Sequence, residues 1–336
     1  MKALVLRGVK QPLTLEDRPI PSAGPGELLV RVMACGICHG DLVMQYGVFP
    51  FVRFPVVPGH EIAGIVESVG AGVGWAQPGQ RVGISVVYST CQHCKQCLGG
   101  NENLCSAFEW TGMMHDGGYQ QFVVVKADFA VPLPESLDFA EAAPLMCGGL
   151  TVYSGLIHGG FKPGGKVAVI GLGGLGILGV LFAKALGARV AVLSTSASKR
   201  ALAEGLGAEK FIDCATQAPS EALQSWEGGA DIILATAPAV EPSSAAFAGL
   251  APDGTMVVVG VGPGNIAINP MDLTMGRRRL IGSPAGSRKE LMECLNLAAH
   301  HKIRPTIRKF SLDQAAEAFA EMESGHIGYR AVLMPN

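Results

Sequence analysis

With 336 residues, 49% hydrophobic and only 16% charged, the chain is long enough for about two domains, each able to bury a core without disulfide staples. A formal net charge of -2 gives nucleic acid and anionic membranes no electrostatic handle, so neither is expected as a partner. Glycine, at 45 residues, points to many tight turns and close backbone approaches.

The apolar run before Arg7 is too short for the core of a secretory signal. Up to about residue 146, short β segments such as 28–33, 61–69 and 122–125 alternate with turns rich in Gly and Pro. From about 150 the texture changes. Strands are expected at 167–170, 190–193, 231–235 and 256–261, with helices at 177–186 and 198–206, and the turn Pro252-Asp253-Gly254 before the last strand. A further helix covers 288–300, followed by a mixed segment that closes on 329–333. Such alternation argues for an α/β fold with a parallel sheet covered on both faces. The uncharged stretch 167–183 falls short of the ~20 residues that span a bilayer and is interrupted by glycine.

Gly171-Leu172-Gly173-Gly174-Leu175-Gly176 fits G-x-G-x-x-G directly after an apolar strand and at the opening of a helix. There the first glycine makes the tight turn, the second admits a pyrophosphate and the third lets helix and strand pack closely. An NAD site presents an acid about 20 residues on. Ser194, Thr195, Ser196, Ser198, Lys199 and Arg200 follow instead, and no acid occurs between Gly176 and Glu204. Hydroxyls and cations suit a 2′-phosphate, so NADP(H) is expected over NAD(H). The bland alternative is that these serines cap the next helix while Lys199 and Arg200 are solvated.

The nine cysteines form an odd set with a dense cluster, which reads as metal ligands in a reducing cytoplasm rather than a disulfide framework. Cys91, Cys94, Cys97 and Cys105 are spaced to close a tetrahedron around a structural zinc, making His93 superfluous. Cys38, His60 with Glu61, and Cys147 form a more dispersed set, whose two sulfurs and one imidazole would leave a zinc vertex open for Lewis-acid chemistry. Spacing alone does not establish it. Cys35 and Cys38 also read as a redox pair, outside any thioredoxin-like context.

Gly36-Ile37-Cys38-His39-Gly40-Asp41, Gly59-His60-Glu61, the four-cysteine lobe, Cys147-x3-Thr151 and Gly171 to Gly176 occur in the order found in zinc alcohol dehydrogenases of the medium-chain superfamily. The Ser-Thr-Ser stretch with Lys199 and Arg200 most resembles the NADP-linked cinnamyl-alcohol-dehydrogenase branch. This resemblance implies a GroES-like catalytic domain of residues 1–146 and 287–336, and a doubly wound Rossmann domain over 147–286. It implies two zinc ions per chain, with Cys38, His60 and Cys147 on the catalytic one. Asp41 would orient His60, and Glu61 would approach the metal during ligand exchange. His39 and Arg330 would face the cofactor phosphates, while Thr151, Val259 and Leu175 would lie about the nicotinamide. Relatives of this kind assemble as dimers or tetramers through the Rossmann domains. The activity implied is hydride transfer between NADP(H) and a primary alcohol or aldehyde.

Two departures stand out. Gly40 and Val43 occupy positions where the family usually carries proton-passing Ser or Thr and His. Tyr46, His115, Tyr119 or an ordered water are the candidate replacements. The missing groups also leave room for a reductase of conjugated C=C or C=N bonds, and for a zinc-stabilised scaffold that only senses a dinucleotide. Phe49, Phe51, Phe54, Trp110, Met113 and Met114 either line an apolar substrate pocket or pack as core.

Overall fold

The computed structural model describes residues 1–324 and 328–336. It divides into two compact units, Met1–Leu150 with Gly286–Asn336, and Thr151–Ala285.

The first unit is built on a seven-stranded sheet. Its strands run in the order Ile307–Phe310, Arg330–Leu333, Glu27–Gly36, Glu61–Val69, Arg81–Ile84 and Ala130–Pro132, with Phe122–Lys126 paired to Glu27–Gly36 as well. Glu27–Gly36 is apolar along nearly its whole length because it is buried on both faces, so it lacks the alternation of a half-exposed strand. Its partner Glu61–Val69 runs antiparallel, with Gly36 opposite Glu61. Gly36 must be glycine here: a Cβ would lie 2.0 Å from Glu61 Oε2. The C-terminal strand Arg330–Leu333 pairs Val332 with Gly36. Three distant stretches of sequence therefore end at one edge of the sheet, beside Cys38 and His60.

The second unit holds a six-stranded, all-parallel sheet in the order Lys210–Asp213, Arg189–Ser194, Lys166–Ile170, Ala230–Ala235, Leu250–Val258 and Arg279–Gly282. This is the doubly wound order in which a dinucleotide binds where the strand sequence reverses. The inner strands are continuous apolar runs whose side chains, such as Val169, Val192 and Ile233, are fully buried. The apolar stretch 167–183 is thus a buried strand and the helix Gly174–Ala185. Among the described residues no helix is long and apolar enough to cross a membrane.

Some expected boundaries move. The strand expected at 256–261 runs instead over Leu250–Val258, and Val261 is 74% exposed. Pro252-Asp253-Gly254 does not precede it but forms an irregularity within it, where Asp253 takes φ +63°. The helix expected at 198–206 opens as a 3-10 turn, Ala197–Lys199, before the α-helix Arg200–Gly205.

Candidate metal centres and dinucleotide loop

Because Gly36 and Glu61 are register partners, Cys38 and His60 fall at the same end of the same strand pair. Cys147 reaches this point from the short 3-10 turn Ala143–Met146, and its sulfur lies 3.8 Å from that of Cys38. Ligand atoms of Cys38, His60, Glu61 and Cys147 all lie within 4.8 Å of one another. Two sulfurs on a tetrahedral zinc, each bonded at ~2.3 Å, would sit roughly 3.8 Å apart, so the sulfur spacing fits the metal.

The four side chains perturb one another electrostatically. A hydrogen bond from Cys147 and then the charge of His60 hold Cys38 well below its ordinary value, while the Cys147 thiol is pushed well above. Burial pushes the Glu61 carboxyl up to about 7, against the pull of Arg330. Glu61 Oε1 accepts from Arg330 Nη2 at 2.6 Å, whereas its Oε2 is buried without a partner. Asp41 Oδ1 lies 3.2 Å from His60 Nδ1, and Asp41 Oδ2 accepts the backbone N–H of Cys38 at 3.0 Å. That arrangement keeps His60 Nε2 free to ligate.

In the cysteine lobe the Sγ separations are 3.9 Å for Cys91–Cys97, 3.5 Å for Cys94–Cys97, 3.8 Å for Cys94–Cys105 and 3.6 Å for Cys105–Cys91. All lie near the same tetrahedral edge of roughly 3.8 Å. The backbone N–H groups of Cys94 and Ala107 point at the sulfurs of Cys91 and Cys105. Backbone hydrogen bonds from His93 and Cys94 bring Cys91 down to about 6. His93 stands outside the cluster, its Nδ1 2.5 Å from the Cys91 carbonyl.

In the second unit, Gly171 takes φ +88°, and a Cβ on Gly176 would lie 2.0 Å from the Gly171 carbonyl oxygen. A Cβ on Gly173 would meet nothing within 4 Å. The three glycines thus have separate causes, and the second leaves open space in front of a twelve-residue helix N-terminus. Leu175 lies in the first turn of that helix, beside Gly174. Thr151 and Val259 are buried.

At the end of the next strand, Ser194 Oγ accepts the Ser196 N–H, and the Ser196 and Ser198 hydroxyls lie 2.8 Å apart. Ser196 precedes the 3-10 turn without capping it through its side chain. Thr195 is exposed and Lys199 half-buried, while Arg200 is exposed with its guanidinium 4.7 Å over the Phe211 ring. Asp213, in register with Ser194, spends an oxygen on the Ala215 N–H.

The residues weighed as proton carriers are engaged elsewhere. Tyr46 is half exposed and bonded to Glu323, His115 stacks on Tyr88 with Nε2 3.0 Å from Glu109, and Tyr119 donates to Asp41 at 2.7 Å. Burial, then Asp41, push the Tyr119 hydroxyl well above its usual range, so it stays a donor. A Cβ at Gly40 would make only ordinary contacts, 3.5 Å from His60 Cε1. His39 is exposed, and Arg330, expected to face phosphate, donates through Nη2 to Glu61 and the Ile37 carbonyl. Phe49, Phe51, Phe54, Trp110 and Met113 gather in one apolar cluster with Leu6, Met44 and Val56; Met114 does not join it. The partners of Arg330 and Tyr119 escaped the sequence reading, since no local spacing connects Glu61 with Arg330 or Asp41 with Tyr119.

A glycine loop on a parallel sheet, and two clusters of metal-ligating side chains in the other unit, define a dinucleotide-linked metal dehydrogenase. Residues 24–135 match the alcohol dehydrogenase GroES-like domain, and residues 174–300 match the zinc-binding dehydrogenase domain. The chain is 37% identical over 334 residues to an alcohol dehydrogenase of Geobacillus stearothermophilus, covering 99% of both. It is 38% identical to an aldehyde reductase, AdhA, of Synechocystis sp., covering 98% of this chain and 97% of that one. CAD from Helicobacter pylori, solved in complex with NADP(H), superposes with a TM-score of 0.89 at 28% identity, covering 99% of this chain and 97% of its own. The chain belongs to the zinc-containing alcohol dehydrogenases of the medium-chain superfamily. It is an oxidoreductase of the alcohol dehydrogenase and aldehyde reductase kind, acting on small alcohols or aldehydes.

Proposed function

We propose that the chain interconverts a primary alcohol and its aldehyde with NADP(H), using one zinc at Cys38, His60 and Cys147 and a second at Cys91, Cys94, Cys97 and Cys105. The observation that carries this reading is the convergence of Cys38, His60, Glu61 and Cys147 at one end of a sheet. Zinc held there supplies Lewis-acid polarisation of an alcohol or carbonyl oxygen. Asp41 fixes the ring and tautomer of His60. Arg330 restrains one oxygen of Glu61, and the other is buried without a partner, which supports Glu61 as an alternative donor. With no hydroxyl at Gly40 and no imidazole at Val43, the substrate proton is passed by solvent in the space beside Gly40.

For the cofactor, Gly171, Gly173, Gly174 and Gly176 cradle the pyrophosphate, and Thr151, Leu175 and Val259 shape the nicotinamide pocket. Ser194, Thr195, Ser196 and Lys199 take the 2′-phosphate, as the absence of a carboxylate on the strand end Ser194 supports. Thiolates kept for metal call for a reducing compartment, the cytoplasm.

The chain works as a homodimer or homotetramer joined through its second unit. The sheet there ends in the strand Arg279–Gly282, which exposes Leu280, and the helix before it exposes Met271 and Met275. An open apolar edge of this kind is stable when paired. A single-chain mass by light scattering would contradict this.

The test is steady-state turnover of zinc-loaded protein on an aldehyde panel and on an enal, with NADPH and NADH. The reading expects carbonyl reduction and a higher kcat/KM with NADPH. Failure to reduce any aldehyde with either cofactor contradicts it, and reduction of the enal's double bond supports the reductase alternative. Ser194→Asp retains the acceptor for the Ser196 N–H but sets a carboxylate against the 2′-phosphate. A charge-assisted hydrogen bond is worth about 1.5–3 kcal/mol, so kcat/KM with NADPH is expected to fall by about 10- to 100-fold, with NADH spared.

A further inference from the structure

Asp41 is 1% exposed and ties three groups to one carboxylate: the His60 ring, the Cys38 backbone N–H and the hydroxyl of Tyr119. The phenol is the best-placed of the three donors, at 2.7 Å, and it comes from a residue 78 positions away. We infer that Tyr119 is a positioning residue for the metal site, locking Asp41 so that His60 and Cys38 are held in ligating geometry. The inference rests on the proposed zinc site at Cys38, His60 and Cys147.

The Tyr119 ring has no freedom to swing. Gly59 takes φ +96°, and a Cβ there would lie 2.5 Å from the ring and 2.8 Å from Cys35 Sγ. Phe319 meets the ring edge-on, at 6.0 Å between centroids. The backbone is pinned too: the Tyr119 N–H donates to the Pro58 carbonyl, and the Leu4 N–H donates to the Tyr119 carbonyl. Without the phenol, Asp41 Oδ2 keeps a single backbone donor, and the carboxylate can rotate about its own axis. His60 then loses the fixed acceptor that sets its ring, which costs metal affinity before it costs fold.

Tyr119→Phe retains the ring and its packing and removes only the oxygen. By chelator competition, zinc at the Cys38–His60–Cys147 site is expected to bind about tenfold more weakly, within the range for lost outer partners of a metal ligand. The lobe zinc should be retained and the variant should remain folded. In an Asp41→Asn background the same substitution should add no further loss. Unaltered zinc affinity in Tyr119→Phe, or an equal loss with and without Asp41, overturns the inference. A parent protein that binds one zinc per chain overturns the site itself and the inference with it, whereas a two-zinc parent beside an unaltered Tyr119→Phe variant overturns the inference alone.

Discussion

Cys147→Ala is expected to leave a folded protein that carries one zinc per chain instead of two and has lost at least about a thousandfold in alcohol oxidation. The fold survives because Cys147 follows a 3-10 turn whose residues are fully buried and make no demand on its sulfur. The metal does not, because Cys147 supplies one of three proposed ligands and hydrogen-bonds a second, Cys38. Several kcal/mol of transition-state charge stabilisation goes with it, and about 1.4 kcal/mol is a factor of ten. Metal analysis and kcat/KM on one preparation check the outcome. Retention of two zinc ions, or activity within a few-fold of the parent, would contradict it.

Cys97→Ser is expected to act on stability. Within the lobe, the helical pieces Lys95–Leu98 and Glu102–Leu104 have four and three residues. Pieces so short do not persist by propensity. Leu98 is 77% exposed and Leu104 50%, so no apolar core holds the loop together. Outside the sulfurs, a buried anchor is Glu102, which accepts from the Arg288 backbone N–H and guanidinium at 2.8 and 2.9 Å. The sulfur cluster is left as the main restraint, and structural zinc binds four-ligand sites with roughly 10–16 kcal/mol. Losing one thiolate should release the lobe zinc and raise protease cleavage within 91–105 by at least about fivefold, given that even a tenth of that energy is about a factor of five. Unchanged cleavage with one zinc missing would show that the loop stands without metal.

The parts of this account legible in the sequence are those in which the chemistry is local. Gly171 to Gly176 stands directly between a strand and its helix, and Cys91 to Cys105 lies within one loop, so spacing alone reports the geometry. Cys38, His60 with Glu61, and Cys147 are a dispersed set that spacing alone leaves open and the family resemblance assigns, since only the pairing of Gly36 with Glu61 brings the first two to one edge. Tyr119 stands in the sequence only as one candidate to replace the proton relay missing at Gly40 and Val43. Its real partner, Asp41, is set by the backbone conformation of Gly59 and the packing of Phe319, neither of which leaves a periodic trace. The pairing of Arg330 with Glu61, across 269 residues, has no local sequence signal either. Likewise the end of the strand Leu250–Val258 could not be read from apolar content, because Val261 continues the run in sequence while lying exposed.

The central claim is a second zinc with one vertex unfilled by protein. Diffraction data collected on either side of the zinc absorption edge, from crystals of the full chain, would locate it directly. The account predicts two anomalous peaks per chain, one among four sulfurs and one touching Cys38, His60 and Cys147 with a light atom opposite. A single peak at the lobe, or a second peak enclosed by four protein ligands other than the exchangeable Glu61, would contradict it.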